Sequence, residues 1–294
     1  MHEHHAKTLL ELDCVPEEWR PRPPCAWLAF DAVERAALVP PGLADGLAEW
    51  LAEQRGAPLP PARAPWARPG WLAEASAWVR NQVEVRGVPE LVRQWPLSSV
   101  IRFDTGEGPV YLKAVFTLFR HEPAVTSALS REHTGLVPDV VAIDEQQGYM
   151  LMRELSGELA GDRGPAAWAE AYRTAASIQR AWVGRRDELR ALGAPGRGLH
   201  TLETYATRER LPLPIRDLCA RLSRVRIAET IVHGDIASRA ELRAAALVGE
   251  ALGCVYQAIS YEGIHDAFEV SDRPLLADEP DRWKQRAVEL AGRL

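Results

Sequence analysis

No stretch of the chain runs to about 18 uninterrupted apolar residues, so the sequence offers no helix able to cross a bilayer. Its first residues, Met1-His-Glu-His-His-Ala-Lys7, lack the apolar core of a secretory signal, which makes the cytoplasm the expected address. Cysteine is sparse: Cys14, Cys25, Cys219 and Cys254 stand far apart with no C-x-x-C pair. That spacing excludes a recognisable zinc framework or disulfide scaffold and suits a reducing compartment. Positive charge is in deficit, with a net charge of −6. Nucleic acid is therefore not an expected partner, because a phosphate backbone needs a positive face. Asparagine is nearly absent, Asn81 being the only one. His2, His4 and His5 are close enough to ligate a metal, but no carboxylate or cysteine framework accompanies them. They read as a tail, and no metal site is assigned.

What is present is ordinary globular material: 294 residues, 47% hydrophobic and 26% charged. That length suits one two-lobed domain or two small ones. Residues 1–70 read as an N-terminal appendage and Pro-rich linker. Within them Leu47, Trp50 and Leu51 mark a short helix, and Gly56, Pro58, Pro60 and Pro61 stop it. Residues 71–155 open with an amphipathic helix, Trp71–Val79, and continue as strand-like runs: Gln82–Arg86, Glu90–Trp95, Ser99–Phe103 and Val110–Ala114. The turn Asp104–Pro109 has hairpin chemistry. Pro123 suits the first turn of a helix to about Arg131. Leu136–Asp144 and Tyr149–Glu154 read as a further strand pair. Residues 156–294 are predicted mostly helical, with a 3.6-residue apolar period over Ala166–Trp182, Ile215–Val225 and Leu242–Ile259. A β-rich half followed by a helical half predicts an α+β protein with a cleft between two lobes.

Two candidates for chemistry stand out. Lys113, in Val110-Tyr-Leu-Lys-Ala114, lies mid-strand among apolar neighbours, where an ammonium can hold the phosphates of a nucleotide. Glu122, opening the next helix, is the carboxylate that would keep it charged and aimed. The plainer alternative is a solvent-facing strand lysine and a glutamate favoured at a helix start. The second candidate is Thr230-Ile-Val-His-Gly-Asp-Ile236. Its β-branched run suits a short strand ending in a tight turn that presents Asp235 as acceptor of a hydroxyl proton, with His233 bracing the loop. The alternative is an ordinary surface turn.

In this order the residues resemble those of the aminoglycoside phosphotransferase and choline kinase family, which has a two-lobed protein-kinase-like fold. Ser98-Ser-Val-Ile-Arg-Phe103 resembles that family's nucleotide-covering strand, which places Ser98 and Ser99 at the nucleotide. Val110–Ala114 is similar to its lysine strand, and Tyr149–Gly157 resembles its hinge, which places Arg153 and Glu154 beside the adenine. Ile231–Ile236 resembles the start of its catalytic loop. The resemblance implies a transferase using ATP and Mg²⁺, with a small hydroxyl-bearing molecule as acceptor and no membrane partner.

The sequence departs from the family after the catalytic loop. The family's metal-binding asparagine falls at Ala240, which has no ligand to offer. The strand carrying a second metal-binding aspartate is also missing, as if roughly 50 residues of the lobe were absent. Asp266 sits in a helical pattern and is expected on a surface. The reading is therefore a phosphotransferase of impaired activity. A kinase-like ligand-binding or interaction protein without catalysis is the alternative, and a helical protein with an incidental His-Gly-Asp is a third.

Overall fold

A computed structural model describes residues 48, 50–53, 55–68, 70–155, 163–222, 229–232, 245–269 and 272–292. It is an α+β structure built on a five-stranded antiparallel sheet. The strands are β1 (Val85–Trp95), β2 (Ser98–Thr105), β3 (Val110–Val115), β4 (Val140–Asp144) and β5 (Tyr149–Arg153). Their spatial order is β1-β2-β3-β5-β4, so the helix between β3 and β4 is inserted where the chain crosses past β5. Alternation assigns the two faces. Ile101, Phe103, Val110, Leu112, Ala114, Tyr149 and Leu151 form a buried core face. The residues between them, Val100, Arg102, Tyr111, Lys113, Met150 and Met152, lie on the other side.

Helix α1 (Trp71–Arg80) covers the core face. Its buried residues Trp71, Ala75 and Val79 recur every four positions, the spacing of one helical stripe. Trp71 and Trp78 both meet Tyr149 edge-on, with ring centroids 6.3 and 5.4 Å away. Each fully buried aliphatic or aromatic side chain here stabilises the fold by about 1.5–3 kcal/mol relative to exposure.

The Pro-rich stretch behaves differently from the linker expected of it. Ala64 and Trp66 are buried in the same core, and Trp66 packs edge-on against Trp71 at 6.4 Å. Arg63 is held between Glu53, at the end of the helical segment before the prolines, and Glu269. Proline fixes φ and so suits an extended segment, but the residues between the prolines still bury apolar surface. The result is a strap over the sheet. Strand β1 merges two runs that sequence separates. Gly87 (φ 69°) and Pro89 fall within it, and the register slips between Arg86 and Glu90. An edge strand tolerates both, because its outer hydrogen bonds are unused.

The other helices are α2 (Glu122–Glu132), α3 (Pro165–Ala181), α4 (Arg186–Ala191), α5 (Leu199–Arg208), α6 (Leu213–Leu222), α7 (Ala245–Ala267) and α8 (Glu279–Ala291). Helices α5 to α8 share a second core around Tyr205, Ile215, Cys219, Val255 and Leu290. Helix α7 spans roughly 35 Å and joins the two cores. Its middle, Ala251 to Ala258, lies in the helical core, while Ile264, and Phe268 just beyond it, lie in the sheet core. Phe268 meets Phe116 edge-on at 5.7 Å. The boundary drawn from sequence between 155 and 156 therefore does not separate the two cores. No helix among the described residues is long and apolar enough to cross a membrane.

Candidate functional site

Lys113 is one of three lysines in a chain with 35 lysines and arginines, so a lysine rather than an arginine at this position runs against the chain's own bias. Its neighbours across the sheet are Val100 on β2 and Met150 on β5, and Met150 is fully buried. The ammonium leaves this apolar surface and forms an ion pair with Glu122, the first residue of α2. The helix N-terminus favours that carboxylate's charge, so the two readings of Glu122 are compatible. Both side chains keep about a third of their exposure (28% and 32%). A pair so exposed contributes less than about 1 kcal/mol to stability. What it provides is a lysine held in one direction on the sheet face opposite the Trp71-covered core.

The two serines part company. Ser98 lies on the face of Lys113, two positions from Val100, and its Oγ accepts a 2.7 Å hydrogen bond from Trp95 Nε1. The Arg93 guanidinium lies over the Trp95 ring at 4.6 Å. Ser99 points to the core face opposite Ala114, fully buried, and its hydroxyl has no hydrogen-bond partner. It cannot reach a ligand on Lys113's side, because successive strand residues face opposite ways. The tip between β1 and β2 is tied down, since the Leu97 carbonyl accepts the Phe116 N–H at 3.0 Å.

Arg153 and Glu154 lie at the far end of β5, about 10 Å along the sheet from Met150. Arg153 pairs with Glu107 at 3.0 Å and Asp139 at 3.4 Å, and its N–H donates to the Asp139 carbonyl. Glu154 accepts a 2.9 Å hydrogen bond from Tyr111 Oη, which raises the phenol's pKa. Its N–H donates to the Pro109 carbonyl. Both backbone donors are thus used within the protein. Tyr111 was not singled out from sequence, although its place two residues before Lys113 puts it on the same face.

His233 and Asp235 lie outside the described residues, as does Ala240. The approach to them, 229–232, is described, and it pairs with no strand. A corner after α3 holds it instead. Thr230 Oγ1 donates to the Gln179 carbonyl, Gly184 N–H donates to the Glu229 carbonyl at 3.3 Å, and Arg186 pairs with Glu229 at 3.1 Å. Residues 229–232 are in no strand, and these contacts anchor Glu229 and Thr230 to the corner. Asp266 is exposed on α7 beside His265, as its helical pattern predicts.

Beside α2 the turn Thr117–Phe119 separates two open hollows. One, of about 330 Å³, is lined by Leu118, Arg120, His121, Glu145 and Leu192. The other, of about 400 Å³, is lined by Pro61, Ala62, Phe116 and Ala267. Lys113 lines neither, so the candidate site is the sheet face itself. Burial lowers the His121 pKa, with Arg197 adding to that and Glu122 opposing it. Among the described residues no group of three or more His, Cys, Asp or Glu side chains could hold a metal ion. Comparison with protein-family models, curated proteins and solved structures returned no match.

Proposed function

We propose that the chain binds a nucleotide as an aminoglycoside phosphotransferase-like protein, and that it moves the γ-phosphoryl group of ATP to a hydroxyl of a small molecule. The observation that carries this reading is the Lys113–Glu122 ion pair, set on the face of an antiparallel sheet opposite its core, where the crossing helix begins with the glutamate. An aimed ammonium on a surface with apolar flanks suits a phosphate, and positioning with charge neutralisation accounts for most of phosphoryl transfer. In the reaction the acceptor oxygen bonds to the γ-phosphorus and the bond from that phosphorus to the bridging oxygen breaks, releasing ADP. Asp235 takes the acceptor's proton. Lys113 neutralises the phosphate oxygens, and Glu122 keeps Lys113 in place.

The residues fit a nucleotide phosphate better than they fit Mg²⁺. Ala240 supplies no oxygen, and Asp266 sits on a helix surface beside a histidine. Turnover is therefore expected to be slow. That same deficit, with the tied β1–β2 tip, favours a second reading: a kinase-like protein that binds a nucleotide without transferring phosphate.

Thermal melting with ATP, with and without Mg²⁺, tests both readings by linkage between binding and stability. An upward shift that disappears in Lys113→Ala supports the nucleotide site, and no shift in either condition rejects it. Phosphate transfer abolished in Asp235→Asn assigns the base. Stabilisation without turnover selects the second reading.

A further inference from the structure

The helix that begins with Glu122 is gripped at its other end by side chains that play no part in the phosphate pair. Glu132, its last residue, presents both carboxylate oxygens to Arg185, at 2.5 and 2.6 Å. Glu188 holds the same guanidinium from the other side, at 2.6 and 2.7 Å. Arg185 in turn lies over the ring of Trp182 at 3.9 Å. Trp182 is fully buried, and its Nε1 donates to Nε2 of His133 at 3.3 Å, which places the imidazole proton on Nδ1. The forked donors of arginine match a carboxylate in one orientation only, so this grip fixes the angle as well as the position of the helix end.

We infer that Arg185 and Trp182 are positioning residues for Glu122, acting through α2. The inference rests on Lys113 and Glu122 being the phosphate-binding pair. The helix carries the constraint roughly 15 Å from Glu132 to Glu122, and a helix of this length is rigid enough to transmit it. The grip also belongs to the corner that holds 229–232. Gln179, Gly184 and Arg186 contact that segment, while Trp182 and Arg185 contact α2. Gly184 makes the corner possible, because its φ of 80° is one that a side chain rarely adopts. One turn of chain therefore sets the glutamate of the phosphate pair and the approach to His233 and Asp235 relative to each other.

The test is a double-mutant cycle on the full chain, using Arg185→Met, Glu122→Ala and the pair, with ATP affinity as the readout. Arg185→Met is expected to weaken ATP binding about fivefold, and to weaken it no further once Glu122 is already alanine. Arg185→Lys, which keeps the charge but loses the fork, falls between. Equal weakening in both backgrounds, or none in either, overturns the inference. Amide exchange of residues 122–132 is measured on the same proteins without nucleotide. Faster exchange at the Glu122 end of α2 in Arg185→Met supports the inference, and change confined to residues 182–188 overturns it. A wild-type chain that does not bind ATP rejects the proposed function, and the exchange measurement then decides the positioning alone.

Discussion

Arg63→Met removes the cation that Glu53 and Glu269 share. In the native chain the side chains of Arg63, Glu53 and Glu269 are only 11%, 9% and 5% exposed. Burial by itself lowers the guanidinium's pKa, but its hydrogen bonds to Glu269 and Glu53 outweigh this and leave it raised. Breaking a buried pair from one side costs about 3–5 kcal/mol, because the remaining charge is stranded. A ceiling follows from protonation: at pH 7 a glutamate with an ordinary pKa of 4.3 takes up a proton for about 3.7 kcal/mol. One glutamate protonated, with its neighbour still charged, brings the loss close to that ceiling, and with an unfolding entropy of about 2.1 cal/mol/K per residue over 294 residues the fall in Tm is about 6 °C. The loss has a pH signature. Acid protonates buried carboxylates that have lost their shared cation, so the variant falls less far behind wild type as pH falls. Calorimetry from pH 8 to pH 5 on both proteins measures this, and the gap in Tm narrows at the acid end. A Tm within about 3 °C of wild type at pH 7, with a gap independent of pH, refutes the triad as a stabilising feature and the Pro-rich strap with it.

His121 contributes stability above its unfolded pKa of about 6.5, because burial holds its folded pKa lower; that stability is lost as the pH falls through the folded value. His121→Gln therefore flattens the fall in Tm between pH 7 and pH 5, and an unchanged slope would show that His121 does not contribute to it. Burial pushes the thiols of Cys219 and Cys254 up to about 11. At pH 8 about one thiol in a thousand is then the reactive thiolate. Iodoacetamide should leave both unmodified in the native chain and alkylate both in denaturant, as read by peptide mass; native modification within minutes would refute their burial.

Much of the sheet was legible because local rules govern it. Strands β2 and β3 follow from alternation about the Asp104–Pro109 turn, where Gly108 has a φ of 102°. The β4–β5 pair follows from the turn that closes at Gly148 (φ 68°). Helix α8 lies in the stretch predicted mostly helical but was not placed individually, although its buried residues Ala287, Leu290 and Ala291 share one side. The same holds for helix α5, whose buried residues are Leu202, Tyr205 and Ala206. The candidate pair was half legible: a lysine mid-strand and a glutamate opening a helix are local facts, whereas their meeting is not. Of Ser98 and Ser99, alternation sends only one to the face of Lys113.

By itself the sequence determined what repeats along the chain: which residues form strands or helices, where turns fall, and which face of each element is apolar. Those follow from dihedral preferences and from periods of 2 and 3.6, which act over a few residues. Only the tertiary structure decided which charges meet. Arg63 finds Glu269 at a separation of 206 residues, and Arg185 finds Glu132 at 53. Trp182 likewise stands against His133 at 49. A charged side chain carries no signal of its partner, because Coulomb attraction depends on distance and burial, and both are set by how the elements pack.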